Sequence, residues 1–186
     1  MNEKNPKTQR NKKGAHPAKE CAYIAVFVAL VISAQLALSA LPGVEVVTVL
    51  FVSYAYAFGW KRGMLSATTF ALLRQIVFGV FPTVLILYLI YYNALSLIFG
   101  SLGKKGDKPV IKLVFVVVLA CVCTLGFTLL DCVITSVFYG FSLASAKAYA
   151  LAMLPFCLPQ ILCVGITVGT LFVPLTKTFQ MIKRAL

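Results

Sequence analysis

Acidic residues and histidine are scarce. The 186-residue chain sets five aspartates and glutamates and one histidine against 17 lysines and arginines, for a net charge of +12. The histidine, His16, lies near the start of the chain, so the apolar remainder has no imidazole for general base catalysis, a serine-type triad or a typical transition-metal site. Glu3, Glu20 and Asp107 fall outside the apolar runs, which leaves only Glu45 and Asp131. Two carboxylates are too few for the acidic cluster of a Mg²⁺-dependent membrane transferase. No glycine-rich phosphate loop is present, so the chain cannot by itself drive work with ATP. Its six cysteines contain no CxxC pair, and Cys121 and Cys123 point to different faces of one helix. They read as small apolar packing residues. No enzyme, metal site or cofactor is expected.

Apolar sequence fills the rest. Hydrophobic residues make up 61% of the chain and charged residues 12%, about half the charged share of a soluble domain, and the mean hydropathy is +0.95. Residues 1–20 differ: six basic side chains with almost no apolar content predict a disordered cytoplasmic tail. No small-residue cleavage site ends a short apolar region after it, so the first apolar run is expected to be a retained span. Residues 21–186 form one all-α membrane domain, with six transmembrane helices expected near 22–42, 44–60, 63–81, 83–103, 110–139 and 147–175.

Basic residues orient these spans. The tail, Lys61 with Arg62, the group Lys104, Lys105, Lys108 and Lys112, and Lys177 with Lys183 and Arg184 share one side if all six runs cross. That arrangement puts 15 of the 17 basic residues and both termini in the cytoplasm, leaving Lys147 outside and Arg74 within a span. The positive charge therefore belongs to topology and to the lipid surface, not to nucleic acid.

The polar groups left in the apolar runs are the candidate site. An ionisable side chain at membrane depth costs about 2.5–3.5 kcal/mol on insertion scales and needs a partner or a wet cavity. Arg74 and Asp131 both meet that description in the outer half, where Glu45, Gln75, Tyr92, Asn93 and Gln160 also fall. Substrate binding by these seven is expected, against the alternative that Arg74 simply pairs with Asp131 or Glu45 and that Asn93 and Gln160 only join helices. Tyr88 reads as part of an interfacial aromatic belt. Pro155 and Pro159 either break the sixth span beside a cavity or kink it for packing. Ala22, Ala25, Ala29, Ser33, Ala37 and Ala40 recur every three or four residues, giving the first helix a small-residue face for packing or for docking a partner.

Six spans, both ends inside, Ala25 and Ala29 in A-V-F-V-A, and the run L-P-G-V-E-V-V-T-V-L-F-V-S-Y-A-Y-A-F-G from Leu41 to Gly59 together resemble the S components of energy-coupling factor (ECF) transporters. The resemblance covers most of the chain beyond the tail. It implies a vitamin-binding bundle in the cell membrane that docks through Ala25, Ala29 and Ser33 on a membrane coupling subunit with two ATPase subunits. It also implies that the bundle topples to release its substrate inside. The usual substrate region of that family matches Glu45, Tyr92, Asn93, Asp131 and Gln160 by position. The missing histidines argue against its cobalt and nickel members and favour a flat organic micronutrient. A membrane scaffold, and a self-sufficient carrier using Asp131 as a proton site, remain as alternatives.

Overall fold

A computed structural model describes residues 16–40, 45–103, 110 and 112–185. No strand occurs among them, and six helices follow in order: α1 (His16–Leu38), α2 (Val47–Phe58), α3 (Trp60–Phe78), α4 (Pro82–Leu102), α5 (Leu113–Phe138) and α6 (Leu143–Ala185). Each expected span has its helix. The first starts earlier than anticipated, inside the stretch read as tail, and the rest of that tail lies outside the described residues. So do the Pro42-Gly43 turn and Lys104, Lys105 and Lys108.

Four helices are long and apolar enough to cross a membrane: Ala18–Leu38, Pro82–Leu102, Leu113–Phe138 and Leu143–Arg184. Their outward surfaces are hydrocarbon, with Val114 and Val137 each 76% exposed, as a lipid solvent requires. This is a membrane protein. The other two helices differ for separate reasons. α2 has 12 residues, about 18 Å at 1.5 Å per residue, too short for a hydrocarbon core of about 30 Å. α3 is long enough but carries Lys61, Arg62, Arg74 and Gln75.

The shortest helix is the centre of the fold. Every residue of α2 is buried, which explains a sequence of valines and aromatics with no polar face. It packs against α1, α3, α4 and α6, while α3 pairs with α4 and α5 with α6. Gly59, at φ +93°, makes the reversal from α2 into α3 that a side chain would resist. Pro82 begins α4, where its missing N–H costs nothing.

α6 settles the proline question in favour of continuity: its 43 residues run unbroken through Pro155, Pro159 and Pro174. All three prolines sit on its exposed side. Val164, Val168, Phe172 and Thr176, four apart, form the buried stripe that holds the opposite side to the bundle. At about 65 Å it is twice as long as the hydrocarbon core is thick.

The two ends of the bundle are distinct. At one, α1 and α6 contribute Glu20 and Lys183, α3 contributes Arg62, and Gly100 of α4 and Gly103 just after it lie against the backbone of Trp60 and Tyr56. Lys61, Lys112, Lys177 and Arg184 belong to the same end. At the other, α1 and α3 finish and α2 and α4 begin.

Candidate ligand cavity

A cavity of about 420 Å³ opens at the end away from those basic residues, and all six helices or their flanks contribute to its wall. Gln35 comes from the last turns of α1, Glu45 from the segment entering α2, Arg74 and Phe78 from α3, Tyr88 from α4, Phe127 from α5, and Phe156 and Gln160 from α6.

On one wall Glu45 gathers three helices. Its Oε1 accepts from the Thr48 hydroxyl at 2.8 Å and the Tyr92 hydroxyl at 3.2 Å, and its Oε2 accepts from Gln160 Nε2 at 2.7 Å. The Glu45 backbone N–H also donates to Cys163 Sγ at 3.3 Å. A carboxylate has room for about four donors, so three of its places are filled from α2, α4 and α6. Short charge-assisted bonds of this kind offset the cost of holding an anion at depth.

Arg74 occupies the facing wall on different terms. Its guanidinium lies between the rings of Phe78 and Tyr88, with Cζ 4.7 Å from each centroid, within range of cation–π attraction. Nε donates to Gln35 Oε1 at 3.2 Å, and Gln35 Nε2 donates in turn to the Tyr88 hydroxyl at 3.1 Å. Arg74 Nη1 is buried with no hydrogen-bond partner. The one ion pair within 4.0 Å among the described residues is Arg62 with Glu20, so Arg74 meets neither Glu45 nor Asp131 as a salt bridge.

The seven candidate residues therefore divide. Glu45, Arg74 and Gln160 line the cavity, and Tyr92 reaches it through Glu45 while its ring packs on Phe51 and Phe70. Gln75 turns to the α3–α4 connection, where its Oε1 accepts from the Phe81 N–H at 2.9 Å. Asn93 ties α4 to α3, with Nδ2 donating to Thr68 Oγ1 at 3.2 Å and to the Leu89 carbonyl at 2.7 Å. Asp131 lies on the α5–α6 hairpin, accepting from the Tyr149 hydroxyl at 3.1 Å and the Thr135 hydroxyl at 3.4 Å. Gln35, Phe78, Phe127 and Phe156 join the wall without having stood out in the sequence. Tyr88 belongs to the cavity and not simply to a belt.

The small-residue face of α1 points outward. Ala25, Ala29 and Ser33 are exposed and, with Leu65, Thr69 and Leu73 of α3, line a shallow apolar groove of about 630 Å³. No bundle helix covers it. Comparison with known protein families, with curated proteins and with solved structures finds no match for this chain.

Proposed function

We propose that the protein is the substrate-capturing subunit of an importer, of the kind that the S components of ECF transporters represent, and not an enzyme. In this reading the chain crosses the cell membrane six times, the short buried α2 completing its passage with the segments that flank it, with both termini cytoplasmic. The cavity then opens outward, since it lies at the end opposite Lys61, Arg62, Lys112, Lys177, Lys183 and Arg184, and those mark the cytoplasmic side. The observation that carries the reading is the cavity itself: a recess of ligand size, walled by every helix, on which the polar side chains of Gln35, Glu45, Arg74 and Gln160 converge. A scaffold has no need of such a recess.

The substrate is a small organic micronutrient of vitamin size, and the driving force comes from a membrane coupling subunit with two ATPase subunits. The outward groove at Ala25, Ala29 and Ser33 supports docking, because small residues let a partner helix approach closely. The decisive experiment is purification from the native membrane with a mild detergent. ATPase subunits and a small molecule released on denaturation, both identified by mass spectrometry, are the expected result. A protein that arrives with neither is a scaffold or a self-sufficient carrier. Bulky replacements at Ala25 or Ala29 should abolish uptake while the isolated protein still binds its ligand.

A further inference from the structure

We propose that the cavity selects an anion: its ligand is a flat aromatic acid whose carboxylate is received by Arg74, with Tyr88 and Gln35 completing the corner. This rests on the substrate-capturing reading and names the class of substrate.

The argument is an inventory of unused hydrogen-bonding capacity. A guanidinium has five N–H donors and no acceptor. In Arg74, which lines the cavity, Nε is committed to Gln35, and Nη1 has no partner but is covered by its neighbours, so a ligand engages it only as the side chain turns toward the cavity. Gln35 fixes its neighbours: its carbonyl oxygen is turned to Arg74 and its amide N–H to the Tyr88 oxygen. The Tyr88 hydroxyl, accepting there, keeps its own proton to give. Donors therefore converge at this corner, and among the described residues no carboxylate lies within 4.0 Å of the arginine.

The opposite wall does not call for a cation. Glu45 is the one carboxylate among the described residues that line the cavity, and Thr48, Tyr92 and Gln160 already occupy three of its acceptor positions. Those donors are neutral and hold Glu45 in place without cancelling its charge, so an acid is received on the Arg74 side, away from Glu45, while a cation near Arg74 would be repelled. Carboxylate on guanidinium is also the geometry in which two parallel N–H···O bonds form.

The remaining wall sets the body of the ligand. The rings of Phe78 and Tyr88 are turned to Arg74, and Phe127 and Phe156 add aromatic side chains to the lining, which suits a planar ring system by offset or edge contacts. A volume of about 420 Å³ admits one or two fused rings, at the small end of ligand pockets.

A lipid phosphate presents the same oxyanion chemistry, so the test separates the two sources. Calorimetric titration of the purified full chain in dodecyl maltoside, which carries no anion, would compare naphthoate, naphthamide and naphthylmethylamine. Naphthoate is expected to bind roughly ten- to a hundredfold more tightly than the amide, with the amine weakest. Arg74→Gln should erase the preference for the acid and leave amide affinity within about threefold, while Arg74→Lys keeps part of the preference. If Arg74→Gln fails to fold, the acid-to-amide ratio in the native protein and in Arg74→Lys decides the matter.

Equal binding of acid and amide, tighter binding of the amine, or no binding of any probe overturns the proposal. So does loss of naphthoate binding when phosphatidylglycerol is added, since a lipid headgroup then owns the site. Each of those results leaves the importer reading standing if ATPase subunits still co-purify. That reading fails separately, by their absence.

Discussion

A glutamate and an arginine face each other at each end of the bundle, Glu20 with Arg62 and Glu45 with Arg74, and the two pairs are used in opposite ways. At the basic end Glu20 and Arg62 close on each other as an ion pair, and Lys183 Nζ donates to the Ala57 carbonyl at 2.7 Å. Beneath them the rings of Phe27, Tyr54, Phe58 and Phe179 pack together. At the other end Glu45 and Arg74 face the same cavity without meeting, each held by neutral partners. A closed pair joins helices. A pair kept open leaves a charge for something that arrives later, and the open pair lies where the wall has a recess.

The sharpest way to break this contrast is to remove the anion that organises the open end. Glu45→Ala leaves the Tyr92 hydroxyl and the Gln160 amide without their acceptor and unties α2 from α4 and α6. It should cost about 2–5 kcal/mol, since donors to a charged group lose about 1.5–3 kcal/mol each and the losses overlap. Thermal unfolding in detergent, followed by circular dichroism, measures it. A loss under about 1 kcal/mol means that Glu45 is replaceable by water and that the cavity wall is not built on it.

Close packing at the basic end provides the next test. A Cβ on Gly100 would collide with the backbone of Trp60, whereas one on Gly126 of α5 meets nothing within 4 Å. Gly100→Ala should cost about 1–3 kcal/mol or more through overpacking. Gly126→Ala should be neutral or gain up to about 1 kcal/mol from helix propensity. Equal effects would show that the basic end is looser than its contacts imply.

Much of this was readable from the sequence, because bilayers leave strong marks. Long apolar runs and the breakers between them locate the helices, and any polar residue inside a run attracts notice. Glu45, Arg74 and Gln160 stand out for that reason, and they line the cavity. Depth along a helix, however, says nothing about direction around it. Arg74 and Asp131 fall at similar depth in the sequence, yet they face different neighbours, as do Gln75 and Asn93. Phe127 and Phe156 sit in helices full of similar residues, so only packing distinguishes a wall residue from one that meets lipid. The continuity of α6 was hidden for a related reason. Its prolines signal a break locally, but the helix runs on through them, with a buried stripe on its other side.

The closed pair should matter less than its geometry suggests. Glu20 and Arg62 are 39% and 32% exposed, and ion pairs that water reaches contribute about 0–1 kcal/mol. A double-mutant cycle of Glu20→Gln and Arg62→Gln, read by thermal unfolding, should give a coupling in that range. Binding of naphthoate should be unchanged throughout. A coupling of several kcal/mol would make the basic end a rigid lock, and a change in ligand affinity would show that the two ends communicate.

Asp131 gives the smallest expected effect and the cleanest check on where the ligand sits. Its carboxylate is outside the cavity wall, and it accepts from Tyr149 and Thr135 within the α5–α6 hairpin. Asn at this position keeps one carbonyl oxygen for the Tyr149 hydroxyl, so Asp131→Asn should cost less than about 1 kcal/mol in stability. Affinity for naphthoate should stay within about twofold, because Asp131 does not line the cavity and its carboxylate is already held by Tyr149 and Thr135. The same calorimetry that tests Arg74 measures both quantities on one preparation. A tenfold loss of acid binding would mean that Asp131 bears on the ligand after all. A tenfold gain would mean that it repels the acid through the wall. Either result would move the boundary between the structural and the ligand-directed charges away from where the cavity now draws it.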